Sequence, residues 1–136
     1  MNIDKFKSQH VEILTCIATL RKLSHAGVAG NAAEIAQLII SMSSIIKLHL
    51  AIEDRSLYPA LARSGDGHMV NKGRQFQVEM GTIAQAYEKF ALHWNTAKAL
   101  QEEEEAFKAD ANIVLRKLHE RIQRENVDLY PKVEAL

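Results

Sequence analysis

The chain has 136 residues, 47% of them apolar, 25% charged and 6% aromatic, a length that suits one domain burying about two-thirds of the surface its unfolded chain exposes. Seventeen Lys and Arg cancel seventeen Asp and Glu, so no global field draws it toward nucleic acid or an anionic membrane, and the lone Cys16 excludes an internal disulfide framework and a Cys-rich zinc module. No apolar run of about 18 residues is evident, because Ser41, Ser43 and Ser44 interrupt the stretch Leu38 to Ile46, and Met1-Asn2-Ile3-Asp4-Lys5 lacks a signal-peptide layout. The expectation is a single soluble, cytoplasmic domain over 1–136, with neither nucleic acid nor membrane as partner.

Apolar residues recur at intervals of three and four, the helical period. Helix one runs from about Ile3 to Ser24, with Ile3, Phe6, His10, Ile13, Leu14, Ile17 and Leu20 on one stripe. Helix two opens at Asn31, which with Glu34 forms a plausible capping arrangement. Its stripe is Ile35, Leu38, Ile39, Met42, Ile45, Ile46, His49, Ile52 and Glu53, and Pro59 is expected to end or kink it. After the loop Ser64-Gly65-Asp66-Gly67, helix three carries Phe76, Met80, Ile83, Tyr87, Phe90 and Trp94. A connection near Asn95 to Gln101 leads to helix four, with Phe107, Ala111, Val114, Leu115, Leu118, Ile122 and Leu129 inward. The run Glu102 to Glu105 reads as its solvated first turn, where the helix dipole favours negative charge. Four amphipathic helices with short connections predict an all-α fold, an antiparallel up-and-down four-helix bundle.

One segment repeats. Glu53-Asp54-Arg55-Ser56-Leu57-Tyr58-Pro59 matches Glu125-Asn126-Val127-Asp128-Leu129-Tyr130-Pro131 at Glu, Leu, Tyr and Pro. In an up-and-down bundle helices two and four run parallel, so both glutamates sit at one depth. His49 and Glu53, four residues apart, stack about 40° around the helix. His10, His49, Glu53 and Glu125 all fall inside apolar arcs, so four ionisable groups point inward from three helices. A buried unpaired carboxylate costs several kcal/mol or protonates. A di- or trivalent metal supplies the compensating charge, and imidazole with carboxylate suits iron, manganese or zinc. A hydrogen-bonded His–Glu pair with a satisfied core histidine is the alternative. Tyr58 and Tyr130 read as helix-end packing, with hydrogen bonds near the site as the alternative, and His25, His68 and His93 as solvated.

The inward His10 of helix one, His49-x3-Glu53-x3-Leu57-Tyr58-Pro59 and Glu125-x3-Leu129-Tyr130-Pro131 resemble the hemerythrin-like (HHE) cation-binding domains, over nearly the whole chain. The resemblance implies a four-helix bundle holding two non-haem irons, bridged by one carboxylate from helix two and one from helix four. It implies roles in oxygen binding, iron or redox sensing, or repair of iron–sulfur clusters.

The chain departs from that pattern on helices three and four. Where the family places histidines, this sequence has Phe76, Met80 and Arg121. By resemblance, His10 and His49 serve one iron with Glu53 and Glu125 as bridges, while the substituted positions served the other. Arg121 is expected to pair with Glu53 and Glu125 as a fixed cation. His119 lies six residues from Glu125, about 120° around a regular helix. It joins the site only if a π-bulge shifts the register; Glu79 is a further possible ligand.

The reading is a metal-binding protein, one iron rather than two, with the metal absent or another divalent ion as open alternatives. Sensing, metal handling or regulation then fits better than reversible oxygen carriage, and dioxygen or peroxide is a possible small-molecule partner. Two alternatives stand beside it: a metal-free four-helix interaction module, and a mononuclear oxygen- or peroxide-active protein. No catalytic residue is assigned, and enzymatic turnover is left open.

Overall fold

A computed structural model describes every residue from Met1 to Leu136. The fold is all-α, with no strand. Four long helices carry it: α1 (Asp4–Ala26), α2 (Ala32–Ile52), α4 (Gly67–Trp94) and α6 (Glu104–Arg124). Three short ones complete it: α3 (Tyr58–Ala62), α5 (Ala97–Glu102) and α7 (Tyr130–Glu134). Each long helix packs on two others, α1 on α2 and α6, and α4 on α2 and α6, closing a ring around the core.

Pro59 does not end helix two. A proline has no N–H to give the carbonyl four residues back, and its ring clashes with that carbonyl. The chain responds one turn earlier with a π-turn, Glu53–Leu57, in which the Tyr58 N–H reaches back five residues to the Glu53 carbonyl. The helix then continues through α3. Pro131 has the same effect: Glu125–Leu129 is a second π-turn, closed by Tyr130 N–H to Glu125 O, leading into α7. The repeated sequence is thus a repeated backbone distortion, each copy opening on the glutamate. From Ala29 to Ala62 this continuous helix is long and apolar enough by composition to cross a membrane, contrary to the reading of no such run, with a third of its 18-residue apolar window buried in the protein.

Three local details differ from the sequence reading. Asn31 makes no capping bond to α2; its side-chain amide donates to the carbonyls of Gly27 (2.8 Å) and Leu23 (3.5 Å), tying the corner after α1. The connection after Trp94 contains α5, capped by Thr96 Oγ1 and anchored by the buried Leu100. Glu103 leaves helical geometry, with φ −131° and ψ 50°, so the acidic run divides between the end of α5 and the start of α6.

The apolar interior has two parts. The larger gathers Ile13, Ile17, Ile39, Met42, Met80, Tyr87, Trp94, Phe107, Leu118 and Ile122, among others. The smaller holds Ile3, Phe6, Leu57, Tyr58, Leu61, Phe76, Leu129, Tyr130 and Val133. Along α1, α2 and α6 the residues separating the two are polar: Gln9 and His10, His49 and Glu53, Arg121 and Glu125, all buried.

Candidate metal centre

A layer of ionisable side chains between two apolar cores must satisfy itself. His10, His49, Glu53 and Glu125 each offer one atom to a common point, and these atoms all lie within 4.8 Å of one another. His10 Nε2 is 2.9 Å from Glu125 Oε1 and 3.1 Å from His49 Nε2. His49 Nε2 is 3.2 Å from Glu53 Oε2 and 3.7 Å from Glu125 Oε1. Tyr130 Oη, 2.9 Å from both Glu53 Oε2 and His10 Nε2, closes the ring.

The outer nitrogens are held as well. His10 Nδ1 lies 2.7 Å from Asn126 Oδ1, and His49 Nδ1 lies 2.8 Å from Gln9 Oε1. A carboxamide oxygen only accepts, so both Nδ1 atoms carry a proton, and in the neutral rings that a metal requires both Nε2 lone pairs face inward. Four acceptor atoms therefore converge, and Tyr130, donating to Glu53, brings the one proton that neutral rings and ionised carboxylates leave among them. Glu53 Oε1 and Glu125 Oε2 have no hydrogen-bond partner at all. Metal–ligand bonds of about 2.0–2.2 Å would set neighbouring donors about 3.0–3.4 Å apart, close to the separations seen. The donor set, its spacing and its proton deficit fit one metal ion.

Without a metal, the charges lean on each other. Burial works against ionising His49, but the hydrogen bonds and charges of Glu125 and Glu53 outweigh it and raise its pKa to about 9. Burial would raise Glu125, yet its hydrogen bonds from His10 and His49 bring it down to about 2. Glu53 is raised, chiefly by burial. Tyr58 and Tyr130 are pushed well above the usual phenol range by burial and by the two carboxylates.

Phe76, Met80 and Arg121 are all buried. Arg121 does not pair with Glu53. Its Nη1 binds Glu79 and its Nη2 donates to the Phe76 carbonyl at 2.6 Å, while its guanidinium stacks 4.0 Å from the Phe76 ring centroid. Only Nε approaches the carboxylates, 3.6 Å from Glu125 Oε2 and without a hydrogen bond. Anchoring by the α4 backbone and by Glu79 explains this: two strong bonds hold the fork away from Glu53. Glu79 is accordingly an Arg121 and Arg124 partner and not a member of the His/Glu cluster. Burial acts to raise its pKa, but the hydrogen bond and charge of Arg121 and the charge of Arg124 together hold it below the usual range.

His119 stays outside too. A π-turn does follow α6, but it begins at Glu125, after His119, so the register of His119 is unchanged. His25, His68 and His93 are exposed, as expected. Sequence reasoning missed Gln9 and Asn126; for Tyr130 the hydrogen-bonding alternative, not helix-end packing alone, is what the structure has. Gln9 carried a legible signal, sitting three residues after Phe6 and four before Ile13 on the apolar stripe. Asn126 carried none at a period of 3.6; Tyr130, five residues after Glu125, is brought in by the π-turn.

The molecule is thus an all-α protein with a buried two-histidine, two-glutamate cluster that can hold a metal ion. The family model for the hemerythrin HHE cation-binding domain matches residues 1–133, and the chain belongs to that family, whose members bind metal ions, typically iron. No curated protein and no solved structure matches it.

Proposed function

We propose that this protein binds one metal ion, iron by family, through His10, His49, Glu53 and Glu125, in an antiparallel up-and-down four-helix bundle whose second metal position has been replaced by Phe76, Met80 and Arg121. The observation carrying this reading is the convergence of two imidazole lone pairs and two carboxylates on one buried point with almost no protons to share. When bound, iron would supply Lewis acidity and one-electron redox exchange. The chain's own groups do the rest: two carboxylates offset the metal charge, Tyr130 fixes Glu53 by a hydrogen bond, and Arg121 closes the far side of Glu125. Reversible oxygen carriage draws two electrons from paired irons, so a single ion suits sensing, metal handling or regulation.

Elemental analysis of protein purified without chelator tests this, with no more than one iron per chain expected. About two irons, with the visible absorption of a coupled pair, would overturn it. Arg121→His should raise the stoichiometry above one only weakly. It frees Glu79 and turns a donor toward Glu125, but Phe76 and Met80 still withhold two others.

A metal-free interaction module is the second reading, favoured by one observation. The high pKa of His49 lets an imidazolium, with the Arg121 guanidinium nearby, offset both carboxylates. For that reading the melting temperature should ignore both chelator and added metal. Saturating metal at 1,000 times Kd should instead stabilise a true metal protein by about 4 kcal/mol.

A further inference from the structure

We propose that Gln9 and Asn126 are positioning residues that set metal affinity by locking His49 and His10 in the Nδ1–H form, an inference that rests on the metal-binding reading above. The two Nε2 atoms are 3.1 Å apart, too close for each to carry a hydrogen pointing at the other. Each ring must give its proton to the outer nitrogen for both lone pairs to serve one ion. The carboxamide oxygens at 2.8 and 2.7 Å are what stabilise that tautomer. Outer partners of this kind fix ring orientation and raise ligand basicity.

The clips cross between elements. Gln9 precedes His10 on α1 but holds His49 on α2; Asn126 follows Glu125 on the C-terminal π-turn but holds His10 on α1. Each element that contributes a ligand thus also orients, or is oriented by, the next one. Asn126 stands in the widened turn beside the buried Glu125 and reaches inward to His10. Its counterpart in the other repeat, Asp54, faces solvent and accepts from Gln77 at 2.9 Å. The two copies are alike in backbone and different in task.

Zinc(II) alone is the probe, titrated into the full chain by competition with a chelating dye. Gln9→Met and Asn126→Leu keep size and remove the acceptor, and each should weaken zinc binding about 10–100-fold. Gln9→Glu and Asn126→Asp keep an acceptor oxygen and should bind within about threefold of wild type or tighter. In nitrogen-15 spectra of the zinc-loaded wild type, both rings should be protonated at Nδ1. The His49 proton should exchange faster with solvent in Gln9→Met, and the His10 proton in Asn126→Leu. A ring bound through Nδ1, or acceptor-less variants with wild-type affinity, overturns this inference while the metal site stands. A wild type that takes up no zinc overturns the metal reading and this one with it. Should Gln9→Met fail to fold, the half-exposed Asn126 carries the comparison, Asn126→Leu against Asn126→Asp.

Discussion

Glu125→Ala is expected to bind no metal, with uptake lost by a factor beyond 1,000 (~4 kcal/mol). No other side chain of the cluster meets both imidazoles: Oε1 lies 2.9 Å from His10 Nε2 and 3.7 Å from His49 Nε2. Removing it deletes a ligand and one of two negative charges, and leaves three donors around a hole. The metal-free protein also suffers. Arg121 keeps Glu79 and the Phe76 carbonyl, but the His49 imidazolium loses one of its two carboxylates, and breaking a buried charged pair costs on the order of 3–5 kcal/mol. Glu125→Gln separates the two effects: it preserves the packing and keeps one oxygen, so it should fold nearly as well while binding far more weakly than wild type. Elemental analysis beside thermal melts decides the matter. Metal content unchanged in Glu125→Ala would remove this residue from the ligand set.

Why Glu125 could be assigned to the site from sequence, and Tyr130 only weighed against helix-end packing, is a matter of helical period. His10, His49, Glu53 and Glu125 were legible because each interrupts an apolar stripe read at 3.6 residues per turn, and that period holds up to each of them. The π-turns start at Glu53 and Glu125. Beyond those points i-to-i+5 bonding lines up residues five apart, which draws Tyr130 toward the cluster when a regular helix would turn it aside. Glu-x3-Leu-Tyr-Pro was visible as a repeat, and the proline that forces the widened turn was visible within it, but the response of the backbone was not. Arg121 shows a different limit. Its approach to Glu125 follows from spacing on one helix. Its stronger bonds, to Glu79 and to the Phe76 carbonyl, cross to α4 and depend on how two helices sit together. The helices and their inward faces follow from the stripes; α5 and the Asn31 corner do not, because they rest on single side-chain bonds to backbone in segments too short to show a period.

Metal affinity should rise with pH by about tenfold per unit for each proton released, up to about pH 9. In the metal-free protein Glu125 and Glu53 hold a proton on His49, whose pKa is raised from 6.5 to about 9. A metal ion must expel it to reach Nε2. The same proton sets the stability of the metal-free protein. Because the folded pKa lies above the unfolded one, the contribution of His49 is complete below pH 6.5 and is lost as pH rises through 9. Glu125 behaves in the opposite sense: lowered from 4.5 to about 2, it stabilises above pH 4.5 and ceases to do so as pH falls through 2. Between pH 6.5 and 9 the metal-free protein should therefore lose on the order of 3 kcal/mol, about 10 °C in melting temperature for a chain of this size. The metal-loaded protein, whose His49 has already given up that proton, should hold its melting temperature across the same range. Melting curves with and without saturating zinc, taken at half-unit intervals, should diverge as pH rises. Parallel curves, or an affinity indifferent to pH, would mean that His49 holds no displaceable proton and does not face the metal.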